Sequence, residues 1–173
     1  RALFFGARAF NQNIGSWDTS KVTDMYLMFS DATFFNQDIG GWNTNSLSTM
    51  QSMFRNASTF NQDISGWNVS RVAQDQFGNS GFTSVFTNAE VFNQDLSGWC
   101  VTNDTSEPYQ FSLNSALTVE NKPVWGTCPN GIAADTIPPV ISLIGSNTIN
   151  IYLGSTFTDP GASATDNIDG DIT

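Results

Sequence analysis

The chain has 173 residues, a formal net charge of −10, 39% hydrophobic residues, two cysteines and no histidine. That charge is far from the basic footprint of a nucleic-acid binder, and the missing histidine excludes Ser-His-Asp and Cys-His catalysis and histidine-held metals. No run of 18 apolar residues occurs, so no stretch reads as a membrane-spanning helix.

From the amino end, one phrase recurs: FNQNIGSW at residues 10–17, FNQDIGGW at 35–42, FNQDISGW at 60–67 and FNQDLSGW at 92–99. Phe10, Phe35 and Phe60 are 25 residues apart, and Phe60 to Phe92 is 32. A second phenylalanine, Phe4, Phe29, Phe54 or Phe86, stands six residues before each phrase, which confines the seven extra residues to 72–84, around AQDQFGNSGF. A period in the twenties is the signature of a solenoid, whose units bury their apolar faces only by stacking.

Within a unit the apolar letters suggest the elements. Ile39, Trp42, Thr44 and Leu47, like Ile64, Trp67, Val69 and Val72, follow the spacing of a leucine-rich-repeat strand. Met25, Met28 and Phe29, then Met50, Met53 and Phe54, follow at three-to-four-residue spacing, which predicts one or two helical turns. The expected fold is therefore a leucine-rich-repeat-like solenoid of short parallel strands and short helices, with a parallel β-helix as the alternative. Asn11, Asn36, Asn61 and Asn93 are expected to form a column of amides that satisfies backbone groups between coils.

Cys100 follows Trp99 in the slot held elsewhere by Asp18, Asn43 and Asn68, and Cys128 lies in VWGTCPNG. A bridge between them would fasten residues 105–128 as a lid over the last unit, with Phe111, Leu113, Leu117, Val119 and Trp125 as its apolar side; free thiols or a metal pair are the alternative. PNGIAADTIPPV then reads as a linker. Beyond it VISLIG and TINIYLG are strand-like, and Asp166, Asp169 and Asp171 in DNIDGD suit either a calcium site or a solvated turn. Residues 1–134 carry eleven acids and six bases, whereas residues 135–173 carry five acids and no base.

FNQDISGWNVSRV, with VTDMYLMF and MFRNAS, resembles the BspA-type leucine-rich-repeat surface proteins of bacteria. The resemblance implies an exported, cell-surface or extracellular protein that binds host, matrix or cell-surface proteins. The wording of residues 135–173 resembles the start of a bacterial immunoglobulin-like domain, implying part of a β-sandwich. The expected organisation is repeats over 1–104, a disulfide-linked cap and linker over 105–134, and a partial immunoglobulin-like domain over 135–173.

No enzyme is expected, because Asp38, Asp63 and Asp95, the only recurring carboxylates, keep step with the structural period. No cofactor is expected beyond the calcium alternative. The outward columns Asp18, Asn43, Asn68 and Ser20, Asn45, Ser70 form a small polar face, and Phe77 and Phe82 in the insertion complete the expected ligand surface. A protein-binding adhesin module is the primary reading; a spacer or polysaccharide-contacting accessory module is the alternative.

Overall fold

Two phenylalanines six residues apart organise each coil, because two successive tight turns bring their rings face to face. In the second coil the Ala32 N–H donates to the Phe29 carbonyl and the Phe35 N–H to the Ala32 carbonyl, leaving the two ring centroids 3.9 Å apart and nearly parallel. The same pairing joins Phe4 to Phe10, Phe54 to Phe60 and Phe86 to Phe92. Between coils the rings align in two columns, with Phe29 5.9 Å from Phe54 and Phe35 5.8 Å from Phe60. The computed structural model describes residues 1–129, 140–143, 162–166 and 170–171, and the chain divides into two compact units, Arg1–Ala133 and Ala134–Thr173.

The backbone of the first unit corrects the expected elements. Residues 1–129 contain neither a helix nor a strand longer than an isolated bridge, so neither the strand-and-helix solenoid nor the parallel β-helix describes them. The coils are built from overlapping turns. The N–H groups of Met28, Ser30 and Ala32 each donate three residues back along their own coil, while those of Met25, Leu27, Phe29 and Asp31 donate to Thr49, Gln51, Met53 and Arg55 in the next. These coil-to-coil bonds span 2.8–3.1 Å.

Left-handed residues enforce this alternation. In every coil the residues two before and two after the first phenylalanine slot have positive φ: Leu27 (55°) and Asp31 (62°), Ser52 (55°) and Asn56 (59°), Ser84 (56°) and Asn88 (58°). A helix cannot pass through such residues, and each non-glycine one costs about 1–2 kcal/mol. The following slot reads Gly6, Asp31, Asn56, Asn88 and Asn114, residue types that tolerate this conformation. Their side chains form a ladder: Asn56 Nδ2 donates to Asp31 Oδ1, Asn88 Nδ2 to Asn56 Oδ1, and Asn114 Nδ2 to Asn88 Oδ1.

A second ladder runs through the phrase asparagines. The Asn36, Asn61 and Asn93 N–H groups donate to Oδ1 of Asn11, Asn36 and Asn61, at 3.0 Å each. Gln37, Gln62 and Gln94 Nε2 reach the same oxygens. The tryptophans tie the opposite side, where Trp42, Trp67 and Trp99 Nε1 donate to the carbonyls of Ile14, Ile39 and Ile64 one coil back. Trp17, in the first coil, is exposed. The expected strand residues alternate inward and outward, Trp42 and Thr44 buried, Asn43 and Asn45 exposed. No backbone ladder joins them, however, because Trp42 and Leu47 close turns onto Ile39 and Thr44.

Residues 105–128 form a further coil. Leu117 occupies the slot of Phe92, and the Thr118 N–H donates to Asn93 Oδ1 as an asparagine N–H does in earlier coils. Its left-handed pair, Gln110 and Asn114, frames Ser112, so Phe111 sits one residue early and meets Phe86 edge-on, at 88° and 5.3 Å. Phe111 and Leu117 are buried and Trp125 packs against the core, whereas Leu113 and Val119 are exposed, contrary to expectation. Cys100 and Cys128 form a disulfide at the edge of this coil.

In the second unit, β1 (Val140–Leu143), β2 (Ala162–Asp166) and β3 (Gly170–Asp171) form one antiparallel sheet in the order β1-β2-β3. The described residues contain no second sheet, which corrects the β-sandwich expectation. The expected strand over 149–153 lies outside the described residues.

Two outcomes follow from the turn-built coils. The buried Thr44 hydroxyl has no hydrogen-bond partner among the described residues, while the same slot holds Val69 and Val101 in later coils. Thr44→Val is expected to raise stability by about 1 kcal/mol in urea unfolding, by removing the desolvation cost of a lone hydroxyl. The phrase aspartates close Asx-turns, Asp63 Oδ1 accepting from the Ser65 N–H and Asp95 Oδ1 from the Ser97 N–H. Hydrogen bonding from Ser65 and Ser97, hydroxyl first and backbone second, holds both carboxyls below the ordinary aspartate value of 3.8. Depressed folded-state values contribute stability that is fully present above the ordinary value and lost as pH falls through the folded ones. Thermal unfolding scanned from pH 6 downward should therefore show a falling midpoint below about pH 4, and the Asp63→Asn, Asp95→Asn double variant should flatten that fall, since Asn13 closes the equivalent turn in the first coil.

Candidate functional site

The outward columns are occupied with local hydrogen bonds. Asp18 Oδ1 accepts from both the N–H and the hydroxyl of Ser20, and Asn68 Oδ1 does the same for Ser70. Asn43 Oδ1 accepts from the Asn45 N–H, and Asn68 Nδ2 donates to Asn45 Oδ1. Asp18, Asn43 and Asn45 are exposed, Ser20 and Asn68 half-buried, and Ser70 buried, so Ser70 leaves the expected ligand surface. Ser20 hydrogen bonding keeps the Asp18 carboxyl below its ordinary value, hence ionised at neutral pH.

The insertion gives a more distinctive feature. The Ala73 N–H donates to the Ser48 carbonyl and the Met50 N–H to that of Gly81, so the regular frame stops at Ala73 and resumes at Gly81. The seven residues between them, 74–80, form a hairpin with an antiparallel bridge between Gln74 and Ser80. Its base is pinched shut by the Gly81 N–H donating to the Ala73 carbonyl. A side chain at Gly81 would put its Cβ 2.7 Å from Val72 Cγ1 and 2.9 Å from the Ala73 oxygen, so the closure requires glycine.

Asp75 holds the hairpin tip together. Its Oδ1 accepts from the N–H groups of Phe77 and Asn79, its Oδ2 from Asn79 Nδ2, and its carbonyl from the Gly78 N–H. Asn79, through its side chain first and its backbone second, is the main cause holding the carboxyl below its ordinary value. Phe77, on this tip, is 80% exposed, whereas Phe82, resuming the regular frame in the slot of Met25 and Met50, is fully buried against Trp99, Phe111 and Trp125. Phe82 therefore belongs to the core and not to a ligand surface.

Beside the hairpin lies an open groove of about 390 Å³. Tyr26 and Gln51, in equivalent positions of adjacent coils, line it with Asp24 and Thr49 from the neighbouring column; Gln74 and Asn79 contribute the hairpin side. Arg1 pairs with Asp24 at one end. The sequence pattern did not single out these groove residues; the insertion was its only signal that the lateral face is interrupted there.

The calcium expectation falls on the second unit. Asp166 and Asp171 lie in the paired strands β2 and β3, where only their backbone is described, and Asp169 lies outside the described residues. Among the described residues no three acidic, cysteine or histidine side chains converge as metal ligands, and no helix is long and apolar enough to cross a membrane.

Coils of common wording, stacked through amide ladders and closed by a disulfide, define a stacked-coil repeat protein. The family described as Mycoplasma protein of unknown function, DUF285, matches residues 1–81 and 79–125. The chain belongs to that family. No curated protein and no solved structure gives a significant match.

Because the frame closes directly from Ala73 to Gly81, deleting residues 74–80 should leave a folded protein. Its near-ultraviolet circular dichroism should match the parent's, with a loss of about 1–3 kcal/mol in urea unfolding, because the buried Asp104 carboxylate loses the Ser80 hydroxyl that donates to it. Loss of cooperative unfolding would show that the hairpin is integral to the stack.

Proposed function

We propose that this chain is a non-catalytic module of an exported, cell-surface or extracellular protein and that it makes adhesive contacts with a host, matrix or cell-surface protein. The observation that carries this reading is Phe77, an exposed aromatic held at the tip of a preorganised hairpin. Protein interfaces draw most of their energy from a few such anchors, and a loop already fixed by Asp75 loses little conformational freedom on binding. The BspA-type wording of the repeats supports the same reading, as does the disulfide, which suits an oxidising compartment.

Attachment of the purified protein to surfaces coated with matrix proteins tests it. Phe77→Ser should reduce attachment at least about tenfold, as expected for an anchor worth about 1.4 kcal/mol or more, without changing the thermal midpoint. Equal attachment of the variant and the parent would refute the hairpin as the contact.

A further inference from the structure

The groove beside the hairpin has a chemistry that the stack does not consume. The Tyr26 hydroxyl and the Gln51 and Gln74 side-chain amides make no hydrogen bond to other described residues, although all three residues line the same concavity. By contrast, the phrase amides on the ladders are committed to neighbouring coils. Tyr26 is 38% exposed and its backbone is fixed, its N–H donating to Asp24 Oδ1.

These groups select a ligand class. A primary amide donates and accepts at once, which matches hydroxyl groups that do the same. The tyrosine ring offers an apolar face with a polar tip, suited to the C–H face of a sugar ring. Asp24 and Asp75 stand at the groove, and the one cation lining it, Arg1, is paired with Asp24, so an anionic ligand meets repulsion. The volume falls within the roughly 300–1,000 Å³ range of small-molecule sites.

We propose that this groove is a binding site for a neutral saccharide, with one ring stacked on Tyr26 and its hydroxyls hydrogen-bonded by Gln51 and Gln74. The hairpin provides one wall, so the same insertion serves two contacts, Phe77 at its tip and the sugar at its base. The saccharide site does not depend on Phe77 or on the protein-binding reading.

Titration of the ¹⁵N-labelled protein with maltotriose, chitotriose, mannotriose and cellotriose, followed by amide chemical shifts, tests the assignment, with sialyllactose as the anionic comparison. At least one neutral trisaccharide should shift the amides of Tyr26, Gln51 and Gln74 saturably, and sialyllactose should bind more weakly. Tyr26→Ala should weaken that binding about tenfold, the equivalent of 1.4 kcal/mol, and Gln51→Ala should weaken it independently. Phe77→Ser should leave it unchanged even if matrix attachment is lost, so failure of the two readings is distinguishable. Absence of saturable shifts with all four neutral sugars, shifts confined to residues outside the groove, or stronger binding of sialyllactose would overturn the proposal. Thermal midpoints of both groove variants equal to the parent's confirm that any loss is local.

Discussion

The division of backbone N–H groups between two directions governs the first unit. In each coil, alternate N–H groups close short turns within the coil, and those between them reach the carbonyls of the next. Neither set alone makes a stable structure: isolated turns are too short to persist, and the interleaved ladder has no strand to belong to. Left-handed residues flanking the first phenylalanine switch the chain from one direction to the other twice per coil. The conformational cost of those residues is met by coil-to-coil hydrogen bonds and by buried aromatic pairs. An isolated coil would keep the cost and lose the return, as expected of a repeat that is stable only when stacked.

The two amide ladders and the tryptophan bonds can be understood in the same way. Overlapping turns leave parts of each coil without backbone partners above and below, and side chains make those connections: Asn11 Oδ1 toward Asn36, Asp31 Oδ1 toward Asn56, and Trp42 Nε1 toward Ile14. Because each link joins only neighbours, a disturbance stays local. That locality explains how a seven-residue hairpin fits between Ala73 and Gly81 without displacing the phenylalanine columns, Phe54 and Phe86 remaining stacked at 5.8 Å across it. It also explains how the last coil carries a one-residue slip at Phe111 and still delivers Leu117 and Thr118 in register.

Side-chain placement was legible in the sequence and backbone form was not. The phenylalanine, tryptophan and asparagine columns follow from the 25-residue period alone, since stacking superimposes equivalent residues. The spacing of Met25, Met28 and Phe29 fits a run of three-residue turns as well as a helix, and nothing about Leu27 or Ser52 announces a left-handed residue. The only written signal was the slot two residues after the first phenylalanine, where Gly6, Asp31, Asn56, Asn88 and Asn114 share a tolerance for positive φ. The Trp-x-Thr alternation separated inward from outward residues over Trp42–Asn45 but failed at the buried Ser70 and Cys100, and the turns at Trp42 and Leu47 took the backbone groups that a strand ladder would have used. Of the expected contact residues, Phe77 and Phe82 were equivalent by composition. Only the frame closing at Gly81 assigns one to the hairpin and the other to the Met50 slot. The groove around Tyr26 was not legible, because it depends on which way the hairpin projects.

Around the phenylalanine pairs the coil-to-coil N–H groups point toward later coils, as from Met25, Leu27, Phe29 and Asp31 to the carbonyls of Thr49, Gln51, Met53 and Arg55, whereas the N–H groups of Phe34, Ser48 and Ala73 donate the other way, to Arg8, Thr23 and Ser48, so the backbone is polar along the stack only on the phenylalanine side. On that side each coil therefore shows two different faces, carbonyls toward the coil before it and N–H groups toward the coil after it. A coil turned over would set carbonyl against carbonyl there, so a coil can join the array in one direction only. At Pro108, where the earlier coils place the donors Met25 and Met50, the coil of residues 105–128 has no N–H to offer.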